Sequence, residues 1–329
     1  MAARKVGLYF AWSRSQEIGA DLALIDDRYP TLYEFRRMLW PEFEQLRDAR
    51  RFSQGIDGFM DNVILADFAH FRNVVRTETG NEVALIQREG DKPSTGHLDQ
   101  EFLQGIDTLI VVSLDHIRSA DGGGVQEVSP GEIELIRDFL SHENNCLVLC
   151  PHHDIGGAAK AIGADLQKSQ EVEFRHHGDP TIPPQQRIGG FCVSLARGLG
   201  LDFTNQYGLS PARAQDGSPA PLQIRGDLDH KRLLAGVTNF NLHPHLPHLY
   251  VPPAMATTID VLALQAINPA APPHPFVAAG NTSFNALLQT RPNVFPGTLL
   301  ICDATLWSSA FQGLQSLERF WRNLVTLGT

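Results

Sequence analysis

The chain is short of cysteine, of clustered basic residues and of long apolar runs, and each shortage closes off a class of protein. Four cysteines in 329 residues, at 146, 150, 192 and 302, make neither a disulfide framework nor zinc-type pairs. Three of them sit inside apolar runs, where cysteine behaves as a small hydrophobe, and a reducing compartment is expected. The basic residues are scattered, in runs no longer than two such as Arg36-Arg37 and Arg50-Arg51, and the formal charge is −10. Phosphate backbones require clustered cations, so no nucleic-acid partner is expected. No stretch approaches the roughly 20 apolar residues of a membrane-spanning helix, so no membrane partner is expected either. Ahead of Val6–Trp12 stands Met1-Ala2-Ala3-Arg4-Lys5, with no small-residue cleavage site after the apolar run. That run reads as a first strand rather than a signal peptide, and a cytoplasmic location is the expectation.

What the sequence does hold is core material: 43% of residues are hydrophobic and 19% charged, the balance of a globular domain. Short continuous apolar runs stand at Val6–Trp12, Val63–Ala66, Leu109–Leu114, Cys146–Cys150, Ile259–Leu264 and Leu299–Cys302. Strands read this way when both faces of a parallel sheet are covered by helices. Between two of them, Ser129-Pro130-Gly131-Glu132 opens a helix with a serine cap, an early proline and a glutamate that completes a capping box. Ile133, Ile136, Phe139 and Leu140 then lay one apolar stripe, and Leu314, Leu317, Phe320, Trp321 and Leu324 do so near the end. Strand, helix, strand over 109–150 is a βαβ unit. The fold expected is a single α/β domain over 1–329, a doubly wound, mostly parallel sheet of flavodoxin-like type with flanking helices. Residues 165–255, rich in proline, glycine and histidine, are expected to form an irregular excursion from it.

The segment Asp107–Gly163 contains a strand, a capped helix, then Cys146-Leu-Val-Leu-Cys150-Pro151-His152-His153-Asp154 and a Gly-Gly-Ala-Ala helix start. This passage resembles the core of the class I glutamine amidotransferase-like superfamily. Within it the likeness is to the non-amidotransferase branches, such as the GIFT domain of intraflagellar-transport proteins. Gly297–Trp307 resembles their closing strand and turn. The resemblance implies the fold, and it places Cys150 close to the family's nucleophilic cysteine. It differs there, because Pro151-His152-His153 stands where the family has a glycine-containing tight turn. His243-Pro244-His245 echoes the family's late His-Pro-Glu only in part.

Ligands of open α/β sheets bind beyond the carboxyl ends of the strands. The residues after the strands are Ser13 and Arg14, Asp115 and His116, His152, His153 and Asp154, and Asp303. Three uses of that edge stand open. Cys150 could be a thiol nucleophile activated at a helix start, with an adjacent histidine such as His153 as its base and the Gly156-Gly157 amides as an oxyanion hole; Asp154 and Asp115 are further catalytic candidates at this edge. His152, His153, His243 and His245 could hold a divalent metal such as zinc, completed by Asp154 or Asp115 and with an open position for water. Or the edge could bind a ligand or partner without chemistry. The function expected is a small-molecule hydrolase acting on a C–N or similar polar bond, metal-assisted through those histidines. The alternatives are a non-catalytic binding module and a Cys150-dependent amidase. A small-molecule substrate is the expected partner, and a homo-oligomer is compatible with the sequence.

Overall fold

The structure, a computed structural model, describes residues 3–11, 68–88, 97–113, 127–151, 190–243, 246–271 and 274–327. Its strands are β1 Val6–Phe10, β2 Ala84–Gln87, β3 Thr108–Ser113, β4 Cys146–Pro151, β5 Thr204–Leu209, β6 Gln223–Ile224, β7 Leu246–Tyr250, β8 Ile259–Ala266, β9 Ser283–Thr290 and β10 Thr298–Cys302. Its helices are α1 Ala69–Thr79, α2 Gln100–Gln104, α3 Pro130–Leu140, α4 Phe191–Gly198, α5 Pro275–Ala278 and α6 Leu314–Val325. Eight strands form one mixed sheet in the order β2-β1-β3-β4-β10-β9-β8-β6. From β2 to β10 every pairing is parallel, and beyond β10 every pairing is antiparallel.

Every residue of β1, β3, β4 and β10 is buried. Alternate side chains go to opposite faces, as the two-residue period of a strand demands. Leu8, Ile110, Val148 and Leu300 face Phe71 and Val75 of α1 and Leu317, Phe320 and Trp321 of α6. Tyr9, Val111, Leu147 and Ile301 face Ile136, Phe139 and Leu140 of α3 and Phe191 and Leu195 of α4. At the amino ends of the strands the buried Arg4 guanidinium donates to Thr108 Oγ1 (3.0 Å) and to the carbonyls of Leu327 (2.8 Å), Asp107 (3.1 Å) and Asn144 (2.7 Å). One side chain thus ties β1 to the starts of β3 and β4 and to the turn after α6.

The βαβ unit stands as expected: β3 and β4 are adjacent and parallel, with α3 on one face. The capping box is complete, Ser129 Oγ accepting from the Glu132 amide (3.3 Å) and the Glu132 carboxylate accepting from the Ser129 amide (2.9 Å). The run at 259–264 departs from the parallel reading, because β8 pairs antiparallel with β9. Its residues mix buried with half-buried positions around a register irregularity at Ala263, unlike the wholly buried parallel strands. Of the excursion at 165–255, residues 190–243 and 246–255 are described. They supply α4, a two-stranded antiparallel sheet of β5 and β7, and β6 on the edge of the main sheet. The run Val63–Ala66 lies outside the described residues. Among the described residues no helix is long and apolar enough to cross a membrane.

Two glycines in left-handed conformation separate conformational strain from crowding. Gly80, after α1, has φ +73° and open space around its missing Cβ. Gly313, before α6, has φ +69°, and a Cβ there would stand 2.6 Å from the Phe240 carbonyl oxygen. Gly80→Ala should therefore cost about 1 kcal/mol, the left-handed penalty alone. Gly313→Ala should cost about 2 kcal/mol more, since backbone must shift to admit the methyl group. Urea unfolding of the two variants checks this, and equal losses would refute the crowding at Gly313.

Candidate functional site

β1, β3 and β4 each lead at their carboxyl ends into segments outside the described residues, which include Asp115, His152, His153 and Asp154. His245 also lies outside them, as do Ser13, Arg14, His116, Gly156 and Gly157. Cys150, His243 and Asp303 are described, and they define the edge from the side of β4 and β10.

Cys150 is fully buried on the face covered by α1 and α6. Its sulfur lies 4.0 Å from that of Cys302 on the neighbouring strand, both as free thiols, and accepts a hydrogen bond from Trp307 Nε1 at 3.1 Å. Burial pushes the Cys150 thiol well above its ordinary value. Cys302 and the Asp303 carboxylate push the same way, and the Trp307 N–H only partly opposes them. Cys146, at the far end of the same strand, is pushed up to about 12 by burial. A nucleophilic cysteine needs the opposite environment, electropositive and partly open. The strand expected to present a reactive thiol holds it as an apolar filler under an indole.

Beyond β10 the chain turns polar. Asp303 is buried, and its Oδ1 accepts from the Thr305 amide at 2.8 Å and from the Thr305 hydroxyl, capping the short helical turn Ala304–Trp307. Asn241 donates from Nδ2 to the Thr305 carbonyl (2.7 Å) and hydroxyl (3.0 Å). Its own side-chain oxygen accepts from the His243 amide at 3.2 Å, and its carbonyl accepts from Gln265 Nε2 at 3.2 Å. His243 is fully buried, with its ring edge-on to Phe311 at 4.5 Å. One chain of hydrogen bonds, Asp303 to Thr305 to Asn241 to the backbone of His243, thus draws residues about 60 apart in sequence to the carboxyl end of β10. β10 lies beside β4, whose next residue in sequence is His152.

Among the described residues no group of three or more histidine, cysteine, aspartate or glutamate side chains is placed to hold a metal ion. His248 is engaged with other partners: on β7, its Nδ1 accepts from the Asn285 amide of β9 at 3.3 Å, and its ring lies 4.7 Å from that of Phe276. Sequence reasoning missed a second polar cluster, at the ends of β1 and β2. There Glu132, which reads in sequence only as a helix cap, also pairs with Arg88 at 3.3 Å. The one signal was a charged residue placed directly after Ala84-Leu85-Ile86-Gln87, at the carboxyl end of a strand.

Burial holds His248 down to about 4, against about 6.5 in an unfolded chain. Above about pH 6.5 both states are neutral there and the residue contributes nothing to pH dependence. As pH falls, the unfolded state takes up the proton first. The fold therefore loses stability down to about pH 4, by about 3 kcal/mol in all. His248→Asn keeps an acceptor for Asn285 without the titration. Its stability difference between pH 7 and pH 4.5, measured by urea unfolding, should be about 2 kcal/mol smaller than the wild type's. An unchanged difference would contradict the burial of a neutral ring.

No protein-family model and no curated protein matches the chain. Solved structures with some likeness include the N-terminal domain of mmIFT52, at 10% identity and a TM-score of 0.39 over 76% of this chain and 88% of that one. A ThuA-like protein from Bacteroides uniformis gives 10% identity and a TM-score of 0.36 over 98% of this chain and 92% of that one. An exo-beta-1,4-mannosidase from an Opitutaceae bacterium gives 11% and 0.33, with 97% of this chain covering 35% of the enzyme. TM-scores this low mark distant resemblance in the course of the chain and carry no argument about activity.

Proposed function

We propose that the chain binds a small polar molecule at the carboxyl edge of its parallel strands, beside Asp303 and His243. The observation that carries this reading is the hydrogen-bonded tether through Thr305 and Asn241, which holds a buried carboxylate and a buried imidazole at the end of β10. Buried polar residues at a strand's carboxyl end are costly to a fold, and on open α/β sheets this is where ligands sit. The doubly wound, flavodoxin-like and amidotransferase-like character of the fold belongs to the same proposal. The strand order β2-β1-β3-β4-β10 supports it, as does the presence of helices against both faces.

A second reading, hydrolysis of a C–N or similar polar bond, uses the same edge. The Asp303 carboxyl and the His243 imidazole, whose segments the tether brings to one edge through the His243 backbone, favour it, because carboxyl and imidazole groups are the side chains that most often hold or move a proton. A metal-assisted version requires His152, His153 and His245 to join His243. The geometry of Cys150 gives no support to a thiol-dependent amidase.

Thermal denaturation against a panel of sugars, amides and amino acids tests the binding reading. At least one class should raise the melting temperature in proportion to the logarithm of its concentration, and His243→Gln should abolish the rise. A panel without effect, or a rise that His243→Gln leaves intact, would contradict the site. Product formation from the stabilising compound separates hydrolysis from binding.

A further inference from the structure

On the far side of β3 and β4 from β10, the same carboxyl edge holds an ion pair with unsatisfied donors around it. Arg88, directly after β2, and Glu132, in the first turn of α3, are both buried. The Arg88 guanidinium reaches the Glu132 carboxylate from Nη1 at 3.3 and 3.4 Å and the Glu127 carbonyl from Nη2 at 3.4 Å. Charge-assisted bonds of this kind ordinarily close to about 2.7–2.9 Å, so the pair is loosely engaged. Glu132 is otherwise well supplied. It accepts from the Ser129 amide and hydroxyl, both at 2.9 Å, and from the Leu98 amide at 3.4 Å, and His97 Nδ1 lies 3.5 Å away.

The donors beside it are not supplied. Among the described residues, the Tyr9 hydroxyl, Arg88 Nε and His97 Nε2 are all buried and none closes a hydrogen bond of ordinary geometry, although the Arg88 guanidinium lies close enough to the Tyr9 oxygen to act on it. Tyr9 is wholly inaccessible and Arg88 is 7% exposed. The three residues belong to one cluster. His97 and Arg88 both face the same Glu132 oxygen, and Tyr9 and Arg88 both lie against the Phe191 ring, at 5.6 and 5.2 Å. Burial raises the Tyr9 phenol above its ordinary value, and the nearby Arg88 guanidinium only partly opposes this, so it stays a hydroxyl that can donate.

Buried polar atoms without partners are rare in folded proteins, and each calls for an occupant. The occupant here has to be rich in acceptors. Arg88 Nε can only donate, Tyr9 has a hydroxyl proton to give, and His97 Nε2 donates whenever it carries its hydrogen. A single water offers two lone pairs, whereas an oxyanion offers several and adds the charge that a guanidinium favours. The position agrees, because β1 has β2 on one side and β3 on the other, so the direction of winding reverses beside Tyr9. We propose that Tyr9, Arg88 and His97 form a binding site for an oxyanion, the carboxylate or phosphate group of a small molecule, distinct from the Asp303–His243 edge.

Replacing Arg88 would strand the buried Glu132 charge and risks unfolding, so Tyr9→Phe and His97→Gln carry the test. Tyr9→Phe removes a hydroxyl that has Arg88 as its polar neighbour and closes no hydrogen bond of ordinary geometry among the described residues. In buffer without oxyanions it should melt at the wild-type temperature or above it. Inorganic phosphate and acetate are titrated separately by thermal shift, with sodium chloride at matched ionic strength as the reference. The proposal expects saturable stabilisation of the wild type by one of them, phosphate marking a phosphate ligand and acetate a carboxylate. Tyr9→Phe and His97→Gln should each bind that ion about tenfold more weakly. Stabilisation by neither ion beyond the salt reference would overturn it, as would variants that respond like the wild type. A clear loss of stability in Tyr9→Phe without any ion would also overturn it, since the hydroxyl would then already have a partner.

Discussion

The constraint on which this structure rests is that the central parallel strands are buried on both faces. A strand so placed can spend no side chain on water, so β1, β3, β4 and β10 are apolar throughout, save for tyrosine, threonine, serine and cysteine at or near their ends. Helices must then cover both sides. α1 and α6 pack against each other over one face, and α3 and α4 cover the other. Polar chemistry is pushed to the strand ends, and the two ends are used differently. At the amino ends Arg4 spends its donors on backbone carbonyls and acts as a structural staple. At the carboxyl ends the buried polar groups are arranged around one another.

Two such groups result, one on each side of the sheet's centre. Asp303, Thr305, Asn241 and His243 make a tether in which hydrogen bonds join two distant segments of the chain. Tyr9, Arg88, His97 and Glu132 make an ion pair with donors to spare. Between them lies β4, and its thiol at Cys150 is under the Trp307 indole. The sealed thiol and the polar groups have one cause. Side chains of β4 and β10 that alternate toward α1 and α6 become core, and only residues past the last position of each strand reach the edge.

The parts of the fold written in local sequence were legible. Continuous apolar runs located β1, β3, β4 and β10, and Ser129, Pro130 and Glu132 located the start of α3 because a capping box is a local motif. The apolar stripe from Leu314 to Leu324 located α6. The direction of pairing at β8 was not legible, since an apolar run from Ile259 to Leu264 looks the same in a parallel or an antiparallel neighbourhood. β9, with Asn285 and Gln289 interrupting its apolar residues, showed no run longer than Ala286-Leu287-Leu288. Asp303 and His243 were visible as polar residues after apolar runs, but the Asn241–Thr305 link between them depends on tertiary placement. Arg88 and Glu132 were invisible as a pair for the same reason, being 44 residues apart. Cys150 misled because its position at the end of an apolar run suggests a strand-end nucleophile. Its burial is decided by its side-chain face, which depends on where the sheet puts α6 and Trp307.

The central claim is that the carboxyl edge is built over a sealed thiol. The most direct measurement is the rate at which iodoacetamide modifies Cys150 in the native protein at neutral pH, read by peptide mass spectrometry beside Cys146 and Cys302. With a buried thiol raised well above its ordinary value, all three should react slowly and alike, at rates that climb together only as denaturant opens the fold. Rapid modification of Cys150 alone, in protein that remains folded, would show an open and ionised thiol and would contradict the account.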